Sequence, residues 1–131
     1  MSTNGKVDIN GWPICYEKFG TGAHIMLLIP GAIGTGRTDF NDLLFGENAL
    51  NMNALTIVAV ELPGWGRSRP PIRQIGRNVF KNDAECCVQL MESLGYNKFS
   101  VLGWSEGSRV ALVLSANYPD SVTDMIVMSL P

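Results

Sequence analysis

Histidine is nearly absent from this chain: His24 is the one example in 131 residues. Cysteine is scarce too, with three residues of which Cys86 and Cys87 are adjacent, an arrangement that suits reduced thiols better than a disulfide framework. No pair of cysteines or histidines has metal-ligand spacing, so no metal site is expected. There is no run of basic residues, and ten Lys and Arg against twelve Asp and Glu leave a net charge of -2. Nucleic acid is therefore not an expected partner, and no basic amphipathic stretch points to a membrane surface. The longest apolar runs, "IMLLI" and "IVAV", fall far short of the ~20 residues a spanning helix needs. The opening "MSTNGKVDING" lacks both the charged flank and the apolar centre of a signal peptide. A reducing, cytoplasmic setting is the expectation.

What is present is enough apolar content, 46%, to build a core for one domain or part of one. "KVDINGWPICYEKFG" places Asn10-Gly11 between two short runs, a strong hairpin signal, and Pro13 assigns that hairpin to a sheet edge. "HIMLLIP", "ALTIVAV" and "FSVLGW" are apolar on both faces, the mark of strands inside a covered parallel sheet. Between them, Thr38 is expected to open a short helix, "DFNDLLF", that stops at Gly46. A longer helix is expected from Asn78 to Leu94, where Phe80, Ala84, Cys87, Val88, Met91 and Leu94 recur at helical spacing. A third helix follows Ser105 and ends before Pro119, and "DMIVMSL" forms a last strand. Alternating strands and helices after an opening hairpin predict an α/β fold, mostly parallel, with helices on both faces.

Three glycine-rich turns, "PGAIGTG", "ELPGWGRS" and "GWSEGS", follow three of these strands. In a parallel sheet all three converge at the carboxyl ends of the strands, where functional sites form. Composition alone produces G-x-S-x-G in roughly one such sequence in ten. Here, however, the motif joins a buried strand to an apolar helix, the context of a nucleophile elbow. Gly103 and Gly107 then make room for a strained Ser105. "PGAIGTG" can be read as an oxyanion loop or as a phosphate cradle with Glu61 on a ribose; its glycine order, G-x-x-G-x-G, departs from the dinucleotide pattern.

Taken together, "LLIPGAIGTGRTDF", "VAVELPGWGRSRPP" and "SVLGWSEGS" resemble the α/β-hydrolase superfamily, and within it the valacyclovir hydrolase (biphenyl hydrolase-like) branch. The resemblance runs from about Val7 to Leu130. It implies serine hydrolysis of small-molecule esters or amides without a cofactor. Ser105 matches the nucleophile, and the backbone N–H groups of Ala32 and Glu106 match the oxyanion hole. The Glu106 carboxylate matches an acid that in this branch faces the α-ammonium of amino-acid esters; otherwise it would point to solvent or pair with Arg109 three residues on. Glu61 and Pro63 stand where the branch usually has aspartate and arginine.

The triad order of this fold is serine, acid, histidine, and no histidine follows Ser105. His24 opens its strand some 20 Å from the site, at the wrong end of the sheet. Asp120 and Asp124 lie at that far end as well. Residues 1–131 thus read as the N-terminal portion of a single hydrolase domain, cut off after about six strands, with the cap, the acid and the histidine absent. The other reading is a non-catalytic binding protein on the same fold. Its last strand is expected to leave an apolar edge that makes the piece sticky.

Overall fold

The computed structural model describes residues 2–130. Six strands form one sheet: β1 (Ser2–Ile9), β2 (Trp12–Phe19), β3 (His24–Ile29), β4 (Leu55–Val60), β5 (Phe99–Trp104) and β6 (Val122–Met128). Their spatial order is β1-β2-β4-β3-β5-β6; β1 and β2 run antiparallel at one side and β3 to β6 run parallel. Asn10 and Gly11 both take positive φ, 51° and 85°, the pair of left-handed residues a tight hairpin needs. Pro13 pairs with Asp8 on the edge strand and lies beyond the part of β2 that meets β4, so its missing N–H costs the sheet nothing.

Residues alternate between two cores along each central strand. Leu27, Ile29, Val58, Val60 and Val101 face helices α3 (Val79–Ser93) and α4 (Glu106–Asn117), against Cys87, Leu90, Met91, Val110 and Leu114. Leu28, Ile57, Ala59 and Leu102 face Phe40 and Leu44 on the other side. Strands buried on both faces are what continuous apolar runs predict, and here they stand.

The helix expected to open at Thr38 is instead two short ones, α1 (Gly36–Asp39) and α2 (Asn41–Leu44), broken at Phe40, where φ is −120°. Thr35 is the cap: its Oγ1 accepts the Thr38 N–H, and Thr38 Oγ1 accepts the Thr35 N–H. The two threonines make a reciprocal box in which Thr38 plays the part usually given to glutamate. All three cysteines are buried and unpaired. Burial pushes the Cys86 thiol up to about 12 and the Cys87 thiol well above its ordinary range, so neither is a nucleophile at neutral pH. At the far side of the sheet β6 pairs with β5 alone and exposes Met125 and Ile126, with Leu130 exposed just beyond.

Candidate active site

Ser105 is the single residue between β5 and α4. Its φ of 54° and ψ of −119° lie outside the regions L-residues favour, the strain expected of a nucleophile elbow. Two glycines permit it. A Cβ at Gly103 would stand 2.5 Å from the Gly107 carbonyl, and one at Gly107 would meet the Pro30 carbonyl at 2.5 Å. The elbow is fastened on its other side to β6, where the Met128 carbonyl accepts the Ser105 N–H at 2.8 Å. Ser108 Oγ, fully buried, lies 2.9 Å from Gly103 O and 3.0 Å from Met128 O and shares its one proton between them.

The "PGAIG" loop lies against this turn: a Cβ at Gly31 would be 3.3 Å from Ser105 Cβ. Residues 31–34 form a β-turn closed by the Gly34 N–H on Gly31 O at 3.0 Å, with Ile33 at a φ of 64°. The Gly31 N–H goes to Asp39 Oδ2 at 2.7 Å. Among the described residues, the N–H groups of Ala32 and Glu106 have no recorded acceptor. Glu106 is the first residue of α4, where helix geometry leaves an N–H unsatisfied and the dipole is positive.

The Glu106 carboxylate forms no ion pair among the described residues. The Arg109 guanidinium lies over the Phe80 ring, 5.9 Å from its centroid. Glu106 does act on Asp83, whose carboxyl is held above its ordinary value mainly by burial; Arg73 opposes the shift and the Glu106 charge adds to it. Arg73 and Asp83 are both buried, joined at 2.6 and 3.1 Å. Arg73 also donates to Pro63 O and stacks 3.8 Å from the Trp65 centroid, tying the "ELPGWGRS" turn to α3.

Glu61 is buried and wholly occupied by this same turn. It accepts from the Arg67 backbone N–H at 2.8 Å and pairs with the Arg67 guanidinium, and a Cβ at Gly66 would collide with it. A carboxylate so engaged is not available to a ribose, and α1, with four residues, is too short to serve as a phosphate-binding helix. Glu61 thus anchors the turn through Arg67. Neither that pairing nor Arg73–Asp83 carries a local sequence signal.

The structure keeps His24 and Asp124 away from Ser105. His24 is exposed at the start of β3, in a register that pairs Met26 with Ser100 and Ile29 with Gly103. What the sequence does not disclose is that His24 Nε2 lies 2.7 Å from Ser100 Oγ, which in turn donates to Asp124 Oδ2 at 3.3 Å. Asp120 stands beyond α4 at the same end; its carbonyl accepts from Lys98 Nζ.

Comparison with known proteins agrees with this geometry. A family model described as the alpha/beta hydrolase fold matches residues 25–131. The mouse and human proteins named serine hydrolase BPHL are each 41% identical over 125 residues, 95% of this chain and 42% of theirs. The crystal structure of the protein ALR0039 from Nostoc sp. PCC 7120 superposes with a TM-score of 0.82 at 28% identity, over 96% of this chain and 42% of that one. The chain therefore spans less than half the length of these relatives. No helix among the described residues is long and apolar enough to cross a membrane. With a strained serine at a glycine-flanked strand-to-helix turn, and these relatives, the chain belongs to the α/β-hydrolase fold family.

Proposed function

We propose that this chain carries the nucleophile and oxyanion half of a serine hydrolase of small esters or amides, with Ser105 as the attacking group. The observation that carries the reading is the Ser105 backbone, held at a φ of 54° between two glycines. In the proposed reaction, Ser105 Oγ attacks the substrate carbonyl as its proton passes to a base. The tetrahedral oxyanion is met by the N–H groups of Ala32 and Glu106, and collapse expels the alcohol or amine; water then releases the acyl group by the same steps. No histidine within these residues reaches Ser105, so the base must come from outside them. By themselves, residues 1–131 are proposed to turn over little or no substrate.

The substrate class we propose is α-amino-acid esters, with the Glu106 carboxylate receiving the ammonium. Its lack of an ion pair among the described residues supports this, as does its place directly after the nucleophile. A sheltered charge-assisted hydrogen bond of roughly 1.5–3 kcal/mol corresponds to about 10- to 150-fold in kcat/KM. The test uses a fusion in which the remainder of the mouse relative follows this chain. Glu106→Gln should lose that factor on an amino ester and leave the same ester lacking its amine unaffected. Equal loss on both esters rejects the ammonium role.

A further inference from the structure

We infer that Asp39 is the positioning residue of the proposed oxyanion loop. The inference rests on the reading of Ser105 and Ala32 given above and adds the part that holds the loop in shape. The Gly31–Gly34 turn is poor by its own chemistry. Positive φ at the third position of such a turn calls for glycine or asparagine, and Ile33, β-branched, is held there at 64° with its side chain exposed. Nothing in the packing of Ile33 can hold it in place, because that side chain is in solvent.

The restraint comes from eight residues downstream. Asp39 Oδ2 accepts the Gly31 N–H at 2.7 Å, a short charge-assisted bond, and Asp39 Oδ1 accepts from Thr38 Oγ1 at 3.2 Å. The carboxylate sits so close over Gly34 that a Cβ there would collide with it. Asp39 is itself aimed by the Thr35–Thr38 cap, which fixes the start of α1, and by its own N–H on Thr35 O. One carboxylate thus bonds the first residue of the four-residue turn and lies against the last. It consumes the Gly31 amide, the Gly31 carbonyl consumes that of Gly34, and the Ala32 amide beside Ser105 is left to serve an oxyanion. Loss of Asp39 should free the Gly31 amide, relax Ile33 towards negative φ and swing the Ala32 N–H off the reaction axis.

Two measurements test this. In the 131-residue chain, Asp39→Ala should shift the amide signals of Gly31 and Ala32 in a nitrogen–proton correlation spectrum and speed their hydrogen exchange. Asp39→Asn, which keeps an acceptor oxygen, should do so less. Unmoved signals overturn the inference, and this measurement needs no catalysis. In the fusion described above, Asp39→Ala should lower kcat about 10- to 100-fold with KM within about threefold, and Asp39→Asn should recover most of it, the pattern of a contact made in the transition state. A lowered melting temperature with kcat intact would make Asp39 a fold-stabilising residue and overturn the inference, even if Ser105→Ala is inactive. Activity surviving Ser105→Ala would instead remove the serine reading, a separate failure.

Discussion

Ser100 stands near the start of β5 and Ser105 just past its end, and their surroundings are opposites. Ser100 has the company a catalytic serine is supposed to keep: His24 Nε2 at 2.7 Å and the Asp124 carboxylate at 3.3 Å. Among the described residues Ser105 has neither, only a strained backbone, a glycine on either flank and Gly31 packed against it. Yet the wiring at Ser100 is wrong for nucleophilic catalysis. The carboxylate binds the serine instead of orienting the imidazole, and Ser100 is a buried strand residue paired with Met26 and Asp124 on either side. The difference is one of materials. The Ser105 elbow itself is shaped by backbone, through its turn and missing Cβ atoms, with the Asp39 and Ser108 side chains bracing the loops around it. The end with Ser100 is held by side-chain hydrogen bonds, and listing serine, histidine and aspartate would have selected it in error.

The largest effect separates the two serines directly. In the fusion with the second half of the mouse relative, Ser105→Ala should abolish labelling by a fluorophosphonate probe and reduce ester turnover by about 10⁴-fold or more. Ser100→Ala should leave both within about threefold. Labelling that survives Ser105→Ala and disappears in Ser100→Ala would reverse the comparison.

Next in size is an attack on the backbone side. Gly107→Ala drives a methyl group against the carbonyls of Ile29 and Pro30, neither of which can move without shifting β3. The cost should be about 1–3 kcal/mol in urea denaturation, together with loss of probe labelling. Gly76 has open space around it and no left-handed φ, so Gly76→Ala should change stability by no more than about 0.5 kcal/mol. Equal effects would mean that the elbow glycines are not where the constraint lies.

Legibility in the sequence follows the distance along the chain over which each device acts. Gly103, Gly107 and the apolar runs around them act within a few residues, so the elbow, the two-faced sheet and the hairpin at Asn10-Gly11 are legible in the sequence. The Asp39–Gly31 clamp spans eight residues, and its signal, an acid after T-G-R-T, has no meaning until Thr35 is known to cap α1. The break at Phe40 that divides the expected helix in two has no local signal either. Glu17–Arg37 and His24–Ser100 were beyond reach, because they join residues that only the strand order β2-β4-β3-β5 brings together. The exposed apolar residues of β6 fit the sticky edge expected there, and size-exclusion chromatography of the chain by itself tests it.

A side-chain contact beside the elbow loops gives a finer probe through pH. Glu17 is buried on β2, and Arg37 grips both its oxygens, at 2.8 and 2.6 Å, while Ser2 donates a third bond. The Arg37 hydrogen bonds chiefly hold its carboxyl below the ordinary value of 4.5, against the opposing effect of burial. As pH falls below about 4.5 the unfolded chain takes up this proton before the folded one does, so folding stability must decrease. The contribution is complete above that pH and is lost as pH falls through the lowered folded value. Glu17→Gln should therefore be destabilising at pH 7, and its urea midpoint should converge on that of the unsubstituted chain as the solution is acidified. A gap that stays constant from pH 7 to pH 3 would show that the carboxylate charge is not what Arg37 holds.

The Gly76 control aside, the smallest expected effect belongs to His24, the residue that a search for a missing base would pick first. Its hydrogen bond to Ser100 links β3 to β5, and Ser100 passes the link to Asp124 on β6. His24 is exposed, however, and when its ring is removed Ser100 Oγ still has the Asp124 carboxylate, with Thr123 Oγ1 at 3.4 Å. Since no buried polar atom is orphaned, the loss should be that of one ordinary hydrogen bond with water free to replace it, about 0.5–1 kcal/mol. His24→Ala should thus move the urea midpoint slightly and leave probe labelling at Ser105 unchanged in the fusion, since the far end of the sheet has no part in the chemistry. A tenfold fall in labelling rate at unchanged stability would give His24 a role in activating the elbow serine. The contrast between a backbone-built elbow serine and a strand serine held by side chains would then no longer hold.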